Sequence, residues 1–289
     1  MQIERTEGAC GARVYGIDLR KDQSAETIRA LRAAWLAHKV LVLPDQELSF
    51  ADLGRVTRYF GPVGDDPYFE PVREDSPVVA ICRRADEQAP VFAEAWHTDW
   101  SFKEIPPAAT LLYGVTIPPV GGNTSFIDQQ AAYEAMPAEL KRRCEGLLAQ
   151  HSAAVAYAPD GTYGDEQSAG SDRSMRIRID ESARAVHSHP LVRTHPETGA
   201  RMIYGTAGYI CGFEGVDETE ARELLHELYA WQLRPEFRYE HQWAPGMLVL
   251  WDNRAVLHKA NAGFDGYDRL LYRTTIADDP TYYLDRSAA

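Results

Sequence analysis

Apolar and polar residues alternate along 12–19 up to a turn, the period-two pattern of a short strand. The period then lengthens. Across 24–38, Ile28, Leu31, Trp35 and Leu36 share one face of a helix, with Ser24 placed to cap it. Residues 39–43 run apolar into Pro44, as a strand buried on both faces would. A second helix is expected over 49–60, with Leu53, Val56 and Phe60 inward and Gly61-Pro62 ending it, and a strand over 77–82. Further strands are expected over 109–117, closed by Pro118-Pro119, and over 123–127 after the Gly121-Gly122 turn.

Residues 128–150 read as helical, broken at Pro137, and 157–174, rich in Gly, Asp and Ser, as a mobile loop. A hairpin over 185–205 turns at Pro196-Glu197-Thr198-Gly199. A strong amphipathic helix over 217–233 starts at Asp217, with Glu220 three residues on. Strands over 247–251 and 270–276 complete the pattern. Many short strands with peripheral helices imply a mainly β chain, a β-sandwich or jelly roll decorated by helices. The 289 residues are read as one domain, 1–289, with 158–174 as a mobile lid loop.

The composition, 45% hydrophobic and 25% charged, is that of a globular core. A net charge of -13 argues against a nucleic-acid partner. Cys10, Cys82, Cys144 and Cys211 are scattered without C-x-x-C spacing, which speaks against a zinc cluster or disulfide framework. Met1–Arg5 lacks the pattern of a signal peptide and no apolar run approaches a membrane span, so a reducing cytoplasm and no membrane partner are expected.

The candidate chemistry centres on Trp96-His97-Thr98-Asp99-Trp100. On an extended strand, residues two apart point to one face, so His97 and Asp99 could converge as two thirds of a 2-His-1-carboxylate facial triad for Fe(II). His258, expected at a sheet end after Asp252-Asn253-Arg254, is the third ligand candidate. Arg269 and Arg273, four apart in the last strand, share a face and suit bidentate carboxylate recognition. His187, His189 and His195 lie in the hairpin without a further ligand and read as structural. Asp252 and Asn253 read as turn formers, and Trp96 as packing.

Taken together, Lys39-Val40-Leu41-Val42-Leu43-Pro44-Asp45-Gln46, Trp96-His97-Thr98-Asp99, Gly121-Gly122-Asn123-Thr124, the stretch from His189 to Pro196, Trp251-Asp252-Asn253-Arg254, His258 and Arg269/Arg273 match one family in order and spacing. The chain resembles, over nearly its whole length, the Fe(II)- and 2-oxoglutarate-dependent dioxygenases of the taurine dioxygenase and 2,4-dichlorophenoxyacetate dioxygenase type.

The resemblance implies a double-stranded β-helix, with His97, Asp99 and His258 as catalytic iron ligands. Thr124 and Arg269 would hold the distal carboxylate of 2-oxoglutarate. Arg273 would sit near its proximal end or at the anion of the primary substrate. O2 would be consumed, with succinate and CO2 released as a substrate C–H is oxidised, normally to an alcohol. Asp99 excludes the halogenase variant, in which a small residue stands there. The family often forms dimers or tetramers.

The resemblance thins at the substrate. Taurine dioxygenases place a histidine in the region that reads Gly64-Asp65-Asp66-Pro67 here, and an asparagine where Ala93 stands. Ala153 replaces a bulky aromatic. These departures argue against taurine. The acidic pair would repel a sulfonate and suit an amine. Asp66, Trp100, Phe102, Ala153, Tyr209 and Arg273 are the expected substrate contacts, and the aromatic ones suit a larger molecule. Two rivals to a hydroxylase are the same iron site driving desaturation, cyclisation or oxidative decarboxylation, and a non-catalytic jelly-roll binding protein.

Overall fold

A computed structural model describes residues 1–284. Its larger sheet has seven strands, in the spatial order Gln2–Arg5, Ala12–Tyr15, Val40–Leu43, Leu248–Asp252, Ala109–Thr116, Arg269–Ile276 and Val79–Arg83. Neighbours are antiparallel except Ala12–Tyr15 beside Val40–Leu43.

Side-chain alternation in the two central strands gives this sheet two different faces. Leu41, Leu43, Leu248 and Leu250 pack with Leu31, Trp35, Leu53, Val56 and Phe60 of helices Ala25–His38 and Phe50–Phe60. Val40, Val42, Val249 and Trp251 meet Phe126, Tyr239 and Val256 across the fold. Those three belong to a second sheet of Arg238–His241, Thr124–Asp128 and Val256–Ala260. The two sheets thus close on one apolar cluster in jelly-roll fashion, and strand 40–43 is apolar throughout because both its faces are covered. Each fully buried side chain of this kind contributes roughly 1.5–3 kcal/mol.

The helix starts follow their caps. Ser24 accepts the N–H of Thr27, Ser49 and Asp52 form a reciprocal capping box, and Asp217 accepts the N–H of Thr219 and Glu220 ahead of helix Glu218–Gln232. That helix covers a third sheet, Ile210–Phe213, Leu148–Ser152 and Val186–Pro190, through Leu224, Leu228, Ala149 and Ile210.

Two segments differ from the sequence reading. Helices Gln129–Glu134 and Ala138–Cys144 flank Pro137 as expected, but Leu148–Ser152 is a strand, paired on both sides. Its periodicity was ambiguous, and sheet partners distant in sequence decided it. The segment expected as a loop also contains structure: helix Ala154–Tyr157 leads into helix Thr162–Ser168, and Tyr157 and Ala158 are buried. Among the described residues, no helix is long and apolar enough to cross a membrane.

Candidate active site

His97, Asp99 and His258 come together. Their ligand atoms lie within 4.8 Å of one another and all three residues are buried. The local geometry is not the extended strand expected for His97 and Asp99. His97 forms an isolated antiparallel bridge with His258, exchanging both backbone hydrogen bonds at 3.0 and 2.8 Å. Asp99 sits in the following turn, next to Trp100 at a φ of +48°. His258 is not at a sheet end but in mid-strand within Val256–Ala260. Its strand pairs with Thr124–Asp128 on one side and with the His97 bridge on the other.

The donor set suits a divalent metal. His97 Nδ1 faces the carbonyl of Ala95 at 2.8 Å; a carbonyl only accepts, so Nδ1 is the donor there and Nε2 is the ring atom turned towards Asp99. Burial, reinforced by His97, pushes His258 well below the usual imidazole range, so this ring is a neutral donor. Asp99 Oδ1 lies 3.7 Å from Nε2 of both histidines. Burial works against its charge, but Arg273 and the imidazoles outweigh it and hold the carboxyl well below the usual range. Two imidazoles and one carboxylate on a single face leave further metal positions open, as the facial triad requires.

Beside the triad is a second polar group. Arg269 is only 7% exposed, and its Nη2 donates to the Gly122 carbonyl at 3.1 Å. Among the described residues no carboxylate pairs with it, and its Nε has no acceptor. Burial lowers its pKa to about 10, which leaves it cationic at neutral pH. Thr124 lines the same inner cavity. Its Oγ1 accepts from Trp243 Nε1 at 2.9 Å, so its own proton remains free to donate. A buried cation without an anion, beside a free hydroxyl, fits a carboxylate ligand.

Arg273 stands between this inner cavity and a larger outer one. Its Nη2 lies 3.2 Å from both Asp99 Oδ2 and Asp66 Oδ1. Burial opposes its charge, but the two carboxylates keep it firmly protonated. Asp66 Oδ1 also accepts from Trp100 Nε1 at 3.0 Å. Burial pushes the Asp66 carboxyl up, and Arg273 pulls it back.

The acidic pair read from sequence therefore splits. Asp65 is exposed and bonds Lys103, while Asp66 is 4% exposed in its side chain and spent on Arg273 and Trp100. The two carboxylates face different partners and do not converge on one point.

The outer cavity has a volume of about 300 Å³ and opens onto His97 and Asp99. Its wall includes Phe92, Trp100, Tyr157, Tyr163 and Tyr209. Of the expected substrate contacts, Trp100, Tyr209 and Arg273 are on this wall. Phe102 stands behind Tyr209, edge-to-face at 4.9 Å, and Ala153 lies in the apolar cluster beneath. Sequence reasoning missed Tyr157 and Tyr163; two tyrosines six apart in a polar stretch were the available signal.

It also missed the partners of Asp99. Asn253, read as a turn former, reaches Thr110, and Thr110 donates to Asp99. Asp252 does form the turn, accepting the Arg254 N–H, and pairs with Arg254 and His195. His189 bonds the Lys103 carbonyl. Trp96 packs as expected.

A model of the taurine catabolism dioxygenase TauD, TfdA family matches residues 2–275. The chain belongs to that family. It is 31% identical over 281 residues to the (S)-phenoxypropionate/alpha-ketoglutarate-dioxygenase of Sphingobium herbicidovorans, covering 96% of this chain and 95% of the relative. A solved taurine dioxygenase from Burkholderia xenovorans superposes with a TM-score of 0.79 at 31% identity, covering 96% of this chain and 89% of that one. AAD-2, solved in complex with Mn(II) and N-oxalylglycine, superposes at 0.77 with 27% identity, over 96% and 97% of the two chains.

This TauD/TfdA dioxygenase is thus an oxidoreductase with a jelly-roll core. Its Fe(II) triad is His97, Asp99 and His258, and its cosubstrate is 2-oxoglutarate.

Proposed function

We propose that this dioxygenase oxidises an unactivated C–H bond of a small organic molecule other than taurine, normally hydroxylating it, with release of succinate and CO2. The observation that carries the reading is the aromatic outer cavity, which opens directly onto His97 and Asp99 of the iron triad while the inner one presents an arginine without a carboxylate partner among the described residues. Bound Fe(II), 2-oxoglutarate and O2 supply the oxidising chemistry. The residues supply orientation. Thr124 and Arg269 hold the distal carboxylate of 2-oxoglutarate by a hydroxyl donor and a charged fork. Arg273, at the proximal end, steadies Asp99. Trp100, Tyr157 and Tyr209 pack against the substrate and exclude water. The absence of an asparagine at Ala93 and the aromatic wall both speak against taurine, and a relative named for an aryl-containing acid is in keeping with that wall.

Anaerobic addition of Fe(II) and 2-oxoglutarate should give a weak visible charge-transfer band that is lost in His97→Ala and Arg269→Ala. Aerobically, aryl-containing compounds should raise succinate release above taurine. A protein without the band and without calorimetric 2-oxoglutarate binding would sink the reading of the inner site. Taurine as the best substrate would sink the substrate half.

A further inference from the structure

We infer that Asp66 is a specificity-determining residue: it cancels the charge of Arg273 and thereby fits the outer cavity to an uncharged aromatic substrate rather than a carboxylate or sulfonate. The inference rests on the proposed seat of 2-oxoglutarate between Thr124, Arg269 and the triad.

Arg273 reaches the wall of the outer cavity beside His97 and Asp99, where an anionic group of a substrate would find it. It is not a free cation. Asp66 lies 3.2 Å from the same Nη2 that faces Asp99, and the Trp100 indole N–H holds Asp66 in place at 3.0 Å. Trp100 turns its ring to the Arg273 guanidinium at 4.9 Å, so the three side chains form one packed unit. With Fe(II), the 2-oxoglutarate dianion, Asp99, Arg269, Arg273 and Asp66 all in place, the formal charges cancel. Without Asp66, one positive charge would remain at Arg273, the charge an anionic substrate needs.

The rest of the wall offers no substitute cation. Arg173 is paired with Glu166 at 2.7 Å and lies against the Tyr163 ring. Glu94 lines the mouth but is exposed, so water screens its charge and it neither replaces a cation nor alters the balance of the buried floor. A cationic substrate is not favoured either, because Asp66 sits behind Arg273, with its Oδ1 already facing both Arg273 and the Trp100 N–H. What is left is an aromatic slot with an internally neutral floor. Burying an unpaired charged group there would be costly, whereas an uncharged ring gains by stacking.

The test uses the anaerobic Fe(II) and 2-oxoglutarate complex and three probes of similar shape: phenoxyacetamide, phenoxyacetate and 2-phenoxyethylammonium. Dissociation constants come from the perturbation of the visible band. The wild type should bind the amide at least ~10-fold more tightly than either charged probe, the size expected for one unmatched charge in a shielded site. Asp66→Asn, which keeps an acceptor for Trp100, should gain at least ~10-fold for phenoxyacetate, while Asp66→Glu should not. A wild-type preference for a charged probe overturns the inference, as does an Asp66→Asn protein with an intact band and no gain for the anion. Should Asp66→Asn fail to fold, Asp66→Ser carries the same arm, and the wild-type ranking decides alone if both fail. Absence of the band before any probe is added overturns the reading of the inner site instead.

Discussion

Thr110 donates a 2.6 Å hydrogen bond to Oδ2 of Asp99, while Oδ1 is the oxygen 3.7 Å from both histidines. The direction of that bond is fixed. Asn253 Nδ2 donates to Thr110 Oγ1 at 2.9 Å, so the hydroxyl proton of Thr110 has to go to Asp99. Asn253 is itself oriented by Trp251 Nε1, which donates to its Oδ1 at 2.8 Å. The chain of bonds holds one carboxylate oxygen away from the metal and offers the other to it.

Thr110→Val keeps the shape of the side chain and removes the donor. It should lower Fe(II) affinity roughly 10–100-fold, the usual cost of losing a partner of a metal ligand, with little change in fold. Anaerobic metal titration followed by circular dichroism checks both halves. Unchanged affinity would mean that Asp99 keeps its orientation without Thr110.

Two histidines away from the iron set a pH dependence. His151 and His241 are fully buried, and burial lowers each to about 3. The unfolded chain takes up a proton at each below its ordinary value near 6.5, whereas the folded protein does not. Stability is therefore full above 6.5 and falls as pH drops towards 3. The slope approaches about 1.4 kcal/mol per pH unit for each histidine. Urea unfolding of the metal-free protein at pH 7, 6 and 5 should show a shallower loss for His241→Gln than for the wild type. Parallel curves would mean that His241 protonates in the folded state.

Gly121 occupies the left-handed region at φ +65°, and a Cβ there would lie 2.4 Å from the backbone of Gly263. The next residue, Gly122, supplies the carbonyl that holds Arg269. Gly121→Ala should cost at least ~2 kcal/mol and weaken 2-oxoglutarate binding, since backbone and neighbour must both move. Gly199→Ala, at φ +71° with open space around it, should cost only about 1 kcal/mol and leave the ligand alone. Equal losses in the two variants would refute the argument from crowding.

Much of this was legible in the chain because it is local. Ser24, Ser49 and Asp217 cap the helices they precede, since a cap needs only the next three residues. Strand 40–43 reads as buried on both faces because its apolar run is unbroken. The iron ligands were legible too, as His97, Asp99 and His258 are chemically distinctive residue types at matching places in a family-wide pattern. The strand geometry invoked for His97 and Asp99 was not the true cause, because a bridge to His258, 161 positions along the chain, and a left-handed Trp100 bring them together.

Other features depended on where distant segments meet. Strand 148–152 carries no period that separates it from a helix, and only its pairing with 186–190 and 210–213 settles it. Nothing local marks Thr110 or Asn253 as partners of an iron ligand, since each is an ordinary residue for its element until the fold stacks them. Asp65 and Asp66 are identical in type and adjacent, yet one pairs with Lys103 at the surface and the other with a buried arginine from the opposite end of the chain. Periodicity, capping and ligand type act over a few residues, so the amino-acid order alone dictates them. Charge compensation and hydrogen-bond direction act through space, so the fold decides which charge each carboxylate meets.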